Sequence, residues 1–416
     1  MATLNMIYPT YLPRFLQTQR NRTLNHHMLP QPSEEDEKRH LSAIHDAEDF
    51  KNSSERSKTL IYCQPCIPNE DPEELISEVE MAEELTSEIE SHSPGHTFVV
   101  CADSQLGMTS LNEEWETELS YCRAAVQKIN ALEPRPAFVS MCGDIVDMEQ
   151  SFYYNNPKAL RSYDLPECER KQRKQFADFQ QVFDEVHEDI AVVCLCGNHD
   201  IGNRPTPKSI EKYRDAFGDE YLAFWVNGTY NIVLNNVLFA NPDGAKEIFL
   251  KQLEWLEERL EYANRHKAAQ IYVFGHHPWF LYHEDEDVAD FVDSVGSAFP
   301  KEWDDGSGRF DNTVFPDLYF SVPKEQRRIA LELFKKYNVN ASFSGHFHQN
   351  LVSKTSFGMD MIVTGPLSMV FDSKGKPIQD EPHGRGIRVV DVSVDMDAEK
   401  RATGKNGSFK HRFELI

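Results

Sequence analysis

From residue 97 onward, short apolar runs alternate with segments of helical spacing, whereas the chain before that point carries little apolar recurrence. Residues 97–102 form an apolar run bounded by polar positions, which predicts a buried strand. Across 112–132 the positions Leu119, Cys122, Ala125, Val126 and Ile129 fall on one helical face. The same reading predicts strands over 137–142 and 189–196 with a helix over 171–187 between them. A strand pair over 224–239 turns at Asn227-Gly228, a dipeptide suited to a tight hairpin. Next come a helix over 245–266, a strand at 270–274, a helix at 324–337 and a strand at 341–344; Trp255 and Leu256 lie on a helical apolar stripe and belong to the core. The final part changes character: 359–364, 387–394 and 408–415 are β-type runs with no helix between them, and Asn406-Gly407 marks a tight turn. Alternating βα units followed by consecutive strands predict an α/β (α+β) fold, with two mixed sheets face to face and helices outside. No internal repeat interrupts this order.

Residues 1–95 contrast with the rest. Acids crowd the stretch from 34 to 90 and large apolar groups are few, so burial cannot offset the entropy of ordering. A disordered or weakly structured acidic arm is expected, with a short acidic helix as the one option over 73–90. Pro94-Gly95 punctuates the boundary, which places the folded domain at 96–416. Arg14, Arg20 and Arg22, with no acid in residues 1–33, weakly resemble a mitochondrial transit segment; an unstructured arm is the plainer reading.

Composition narrows the function classes. A formal net charge of −25 over 416 residues argues against a nucleic-acid partner, which clustered Lys and Arg would have to hold. It is equally awkward for a phosphate substrate unless bound cations reverse the local field. The 8 cysteines form no disulfide framework: Cys101, Cys142, Cys194 and Cys196 lie in apolar runs, and Cys63 and Cys66 make a lone Cys-x-x-Cys. That usage suits a reducing, cytoplasmic setting. No stretch approaches the roughly 20 apolar residues that span a bilayer, and the start lacks a secretory apolar core, so no membrane partner is expected.

The candidate chemistry sits at the carboxyl ends of the predicted strands, where open α/β sheets place their sites. These ends read Ala102-Asp103-Ser104-Gln105, Gly143-Asp144-Ile145-Val146-Asp147, Gly197-Asn198-His199-Asp200, Gly275-His276-His277-Pro278 and Gly345-His346-Phe347-His348. Each fragment alone is weak, because Gly-Asp or Gly-His at a strand end is ordinarily a turn and an isolated His is ordinarily structural. Five such ends, each delivering oxygen or imidazole donors after an apolar run, predict a metal site. The glycines suit it, letting the chain turn sharply and the backbone approach an ion.

In the order D-x-[H/Q], G-D-x-x-D, G-N-H-D, G-H-x-P and G-H-x-H, the chain resembles the calcineurin-like metallophosphoesterase superfamily over about residues 97–395. The resemblance implies a four-layer α-β-β-α sandwich of two mixed sheets and two divalent ions. One ion would take Asp103, Gln105, Asp144 and His348, and the other Asp144, Asn198, His276 and His346, with Asp144 bridging. Such donors suit Mn, Fe, Zn or Mg. Gln105 departs from the His of many members; an amide oxygen is the harder, weaker donor, which favours Mg or Mn at that position.

The implied reaction is hydrolysis of phosphate monoesters, foremost protein phosphoserine and phosphothreonine, by metal-activated water attacking in line. Its implied partner is therefore a phosphoprotein or phosphopeptide. His199 would be the proton donor to the leaving alkoxide. Asp147 would orient ligands or cap a helix, and Asp200 would fix the His199 ring or make a surface ion pair. Asn198 and Arg204, with Asn203 nearby, are candidate phosphate contacts, a solvated loop being the alternative. His277 reads as filler or rim. The insertion at 283–317, with Glu284, Asp285, Glu286, Asp287, Asp304 and Asp305, would border the site mouth or be a plain solvated loop. An acidic rim there would suit a phosphopeptide with basic neighbours. Competing readings are a phosphodiesterase or nucleotidase on the same engine, and a non-catalytic scaffold, against which the retention of Asp103, Asp144, Asn198, His199, His276, His346 and His348 stands.

Overall fold

A computed structural model describes residues 5–7, 61–64, 95–148, 165–286, 320–371, 377–378, 384–394 and 407–416. Its strands are β1 (Asn5–Ile7), β2 (Ile61–Gln64), β3 (Gly95–Cys101), β4 (Phe138–Cys142), β5 (Ala191–Leu195), β6 (Leu222–Val226), β7 (Thr229–Val233) and β8 (Gln270–Phe274). There follow β9 (Ala341–Ser344), β10 (Leu351–Lys354), β11 (Asp360–Val363), β12 (Val370–Phe371), β13 (Pro377–Ile378), β14 (Gly386–Val394) and β15 (Gly407–Leu415). The helices are α1 (Glu116–Asn130), α2 (Leu165–Phe183), α3 (Asn198–Ile201), α4 (Pro207–Phe217), α5 (Val237–Ala240), α6 (Lys246–Arg265) and α7 (Lys324–Lys336).

Two large mixed sheets result. One has five strands in the order β15-β14-β3-β4-β5, with β3, β4 and β5 parallel and β14 and β15 antiparallel at one edge. The other has eight in the order β1-β2-β6-β7-β8-β9-β11-β10, parallel from β7 to β11 and antiparallel at both margins. Strands buried on both faces read as continuous apolar runs, and their alternate side chains serve two different cores. Phe98, Val100 and Ala102 point into the layer between the sheets, while Val99 and Cys101 join the helix-covered layer. Between the sheets Phe98 meets Phe274 and Phe343 edge-on at 5.7 and 5.4 Å, and Phe138 meets Phe224 at 5.1 Å. Each such fully buried ring contributes roughly 2–3 kcal/mol. Leu119, Val126, Phe179 and Phe183 from α1 and α2, and Trp255, Leu256 and Leu260 from α6, furnish the helical side of the other layer. Helix, sheet, sheet and helix follow the expected layering.

Differences from the sequence reading have physical causes. The first helix begins at Glu116 rather than near 112, because Asn112 adopts a left-handed φ of 64° and turns its amide beneath the site. Within 1–95, β1 and β2 were not expected. β2 pairs antiparallel with β6, and open backbone groups on an edge strand accept an extended segment through main-chain bonds that apolar periodicity does not register. The 73–90 helix lies outside the described residues, as do residues 287–319 of the insertion. Glu286 is described and is no rim acid: it is buried, accepts from the amides of Leu281, Tyr282 and His283 at 2.7, 2.8 and 3.0 Å, and lies 3.7 Å from Arg327. Cys101, Cys142, Cys194 and Cys196 are buried free thiols. Among the described residues no helix is long and apolar enough to cross a membrane.

Candidate metal centre

The parallel strands of both sheets end on one rim, and five loops leave them there. Backbone bonds lace these loops together before any side chain is considered. Asp103 N donates to Gly143 O at 3.1 Å, Gln105 N to Asp144 O at 2.8 Å, and Gly345 N to His276 O at 3.0 Å. Asp103, Gln105, Asp144, His346 and His348 all take positive φ, at 53°, 35°, 48°, 67° and 56°. Side chains other than glycine avoid this region, and such strain persists where surrounding contacts impose it. Here it turns five side chains inward. Gly197 permits the closest approach: a Cβ there would overlap the amide and carboxylate of Asp144.

One donor set is tight. His276 Nδ1 donates to Cys142 O at 2.9 Å, so in the neutral ring its Nε2 carries a lone pair. That Nε2 faces Asn198 Oδ1 at 3.0 Å, His346 Nδ1 at 3.1 Å and Asp144 Oδ2 at 3.2 Å. Asp144, His276 and His346 offer ligand atoms that all lie within 4.8 Å of one another, and all three residues are buried. The second set is looser. His348 Nδ1 donates to Met369 O at 2.5 Å, turning Nε2 toward Asp103 Oδ1 at 3.6 Å. Gln105, which the family resemblance assigns to this set, donates from Nε2 to Asp144 Oδ2 at 3.3 Å and has Oε1 buried without a partner. Asp144 Oδ2 therefore touches both sets. Asp103 and Asp144 are held from behind: His346 N donates to Asp103 Oδ2 at 2.9 Å, and His199 N to Asp144 Oδ1 at 2.8 Å.

Electrostatics state the same need. Burial, with Asp144 adding to it, pushes the Asp103 carboxyl up to about 8. Burial would raise Asp144 too, but the imidazoles of His276, His199 and His346 outweigh it and hold that carboxyl far below its ordinary value. Burial lowers His276, yet Asp144 and Asp103 prevail and lift it to about 9; burial takes His348 down to about 4. Lone pairs facing lone pairs around an orphaned amide oxygen fit divalent cations, which supply the missing positive charge.

The remaining candidates divide. His199 is buried, with Nδ1 3.3 Å from Asp147 Oδ1, so Asp147 is the acid on the ring. Asp200 does not hold the His199 ring. Its carboxylate accepts from Gly197 N at 2.7 Å, Ile145 N at 3.0 Å and Val146 N at 3.2 Å, bracing the second and third loops. Burial, with Asp144, raises Asp200 to about 7. Arg204 is exposed on the surface. His277 is filler and not rim: it is buried with its ring 4.1 Å from that of His346. Burial, then the neighbouring His346 and His276, holds it well below its ordinary value.

Two supports escaped the sequence reading. Asn236 Oδ1 accepts from His276 N at 2.7 Å and His277 N at 3.0 Å, while its Nδ2 donates to His277 O at 2.7 Å, fixing the fourth loop. Its signal was visible, because Asn235-Asn236 also ends an apolar run. Asn112 Nδ2 donates to Asp147 Oδ2 at 2.7 Å, and is itself held by Gln175 at 2.7 Å.

Comparison with known proteins agrees with this geometry. A family model described as calcineurin-like phosphoesterase matches residues 96–350. The Danio rerio protein named serine/threonine-protein phosphatase CPPED1 is 30% identical over 305 residues, covering 71% of this chain and 81% of its own. The Homo sapiens protein of that name is 30% identical over 307 residues, covering 72% and 80%. Among solved structures, a dimetal phosphatase from Danio rerio is 14% identical, with a TM-score of 0.43, covering 72% of this chain and 95% of that one. Since the matched span runs through all five donor-bearing loops, the chain belongs to the calcineurin-like phosphoesterase family and is a metallophosphoesterase.

Proposed function

We propose that this enzyme is a protein phosphatase that removes phosphate from phosphoserine and phosphothreonine by way of two divalent cations. The observation that carries the two-ion reading is Asp144, whose Oδ2 faces both the His276 set and Gln105. The name shared by the relatives at 30% identity supports the substrate class.

When bound, two divalent cations supply the Lewis acidity that activates water for in-line attack and draws off charge developing on the phosphoryl oxygens. Asn198 Oδ1 and Asp144 Oδ2 both lie against His276 Nε2, which fixes where the phosphoryl group is received. His199 carries the proton for the departing alkoxide. Asp147 stabilises its doubly protonated ring through Nδ1 and leaves Nε2–H as the donor. The burial of both groups excludes competing water from that proton.

Asp144→Asn should abolish turnover and bound metal together while circular dichroism stays unchanged; retained metal and turnover would falsify the two-ion reading. Wild-type enzyme should hydrolyse phosphoserine and phosphothreonine peptides and p-nitrophenyl phosphate, with bis-p-nitrophenyl phosphate far slower. Preference for the diester would instead assign a phosphodiesterase.

A further inference from the structure

Arg388 lies on β14 of the five-stranded sheet, almost wholly buried, and its guanidinium reaches across to the eight-stranded sheet. Its hydrogen-bond partners, on that sheet's side and on neighbouring β15, are neutral. Nη2 donates to Asn350 Oδ1 at 2.6 Å and to Val363 O at 3.1 Å, Nε donates to Thr364 Oγ1 at 3.2 Å, and Nη1 faces His411 Nδ1 at 3.0 Å. A buried cation costs several kcal/mol in desolvation, and neutral acceptors offset it only in part. An arginine kept in such surroundings serves its fork of fixed donors rather than ion pairing.

What the fork holds is specific. Asn350 stands two residues beyond His348, and its Oδ1 also accepts from Gly365 N at 3.0 Å. Val363 and Thr364 lead into the loop 365–369, which touches the looser donor set twice. Met369 O accepts from His348 Nδ1 at 2.5 Å, and Ser368 donates to Asp103 O from Oγ at 2.6 Å and from N at 3.1 Å. One guanidinium thus ties the segment following His348 to the loop that orients both His348 and Asp103.

We infer that Arg388 and Asn350 form a positioning clamp for His348 and Asp103, which sets the cation affinity of the looser site without touching the tighter one. This inference rests on the two-ion reading above. Outer groups that orient metal ligands ordinarily govern affinity by about 10- to 100-fold. Within the tighter set, His276 draws its order from Cys142 O and Asn236, which the clamp does not reach.

Calorimetric titration of the EDTA-stripped full chain with Mn²⁺ tests it, with three proteins side by side. Wild type should bind two ions. Asn350→Leu, at an exposed position that tolerates an apolar side chain, should weaken one site at least tenfold and leave the other unchanged. Asn350→Asp keeps the oxygen that Arg388 and Gly365 use and should retain wild-type affinity at both sites. Unchanged affinities in Asn350→Leu, equal weakening of both sites, or an Asn350→Asp variant as impaired as Asn350→Leu would each overturn the clamp. A wild-type protein that binds fewer than two ions would instead overturn the reading beneath it.

Discussion

At Gln105 the chain places an amide where an imidazole would bind borderline ions more tightly. Its Oε1 is buried and unpartnered, so a ligand role accounts for an otherwise costly orphan. Gln105→His should tighten Zn²⁺ at the looser site by about tenfold, read by chelator competition; unchanged or weaker Zn²⁺ binding would remove Gln105 from the donors. Residue identity along the chain exposed the ligands well, because each follows a strand end and a turn. It could not sort Asp147 from Asp200, since which acid reaches the His199 ring depends on how two separate loops aim at each other. The geometry separates their consequences. Asp147→Asn should lower kcat about 100-fold on a phosphoserine peptide, whose leaving group needs its proton, and far less on p-nitrophenyl phosphate. Asp200→Asn should chiefly lower the melting temperature, since three backbone amides lose a charged acceptor. Equal kcat losses on both substrates for Asp147→Asn would deny His199 its proton-donating role.

At the level of elements, strands buried on both faces and amphipathic helices announced themselves by period, and β3 through β9 stand where the apolar runs placed them, except that the run to 239 ends in the short helix α5 and not in strand. Elements made by backbone pairing did not. β2 gains its place from β6, and β10 alternates half-buried with exposed positions at the sheet margin, so neither leaves a strong apolar pattern. The support Asn112 was illegible for another reason: its worth lies in a hydrogen bond to a residue 35 positions away. The junction of β5 with α3 carries a sharp test of the element-level geometry. Gly197→Ala would drive a methyl group into Asp144. Overpacking of this kind costs about 1–3 kcal/mol, and here it displaces a carboxylate shared by both donor sets. The variant should unfold at lower urea and purify with less than half the wild-type metal, measured by elemental analysis. Full metal content would show that the loop yields and that the glycine is not required.

For the whole molecule, the buried centre couples cation binding to stability. In chelated protein Asp103 and Asp200, raised to about 8 and about 7, and His276, raised to about 9, all bind their protons more tightly when folded. Their ordinary values are 3.8 for the acids and 6.5 for the histidine, so the stability each proton confers is complete below those values. It disappears as pH climbs through the folded value. His348 runs oppositely: lowered to about 4 by burial, it adds stability as pH rises, but that gain is finished by 6.5. Between pH 6.5 and 9 these shifts therefore leave only losses. The melting temperature of EDTA-stripped protein should fall across that window by more than about 5 °C. Mn²⁺-loaded protein should melt higher throughout, since ions that bind only the folded state stabilise it by mass action. Its melting temperature should also stay level, because the cations replace the protons that the rising pH removes. If stripped protein instead melted at the same or a higher temperature at pH 9, the donors would not be competing for positive charge, and the buried carboxylates and imidazoles would need a different explanation from a metal centre.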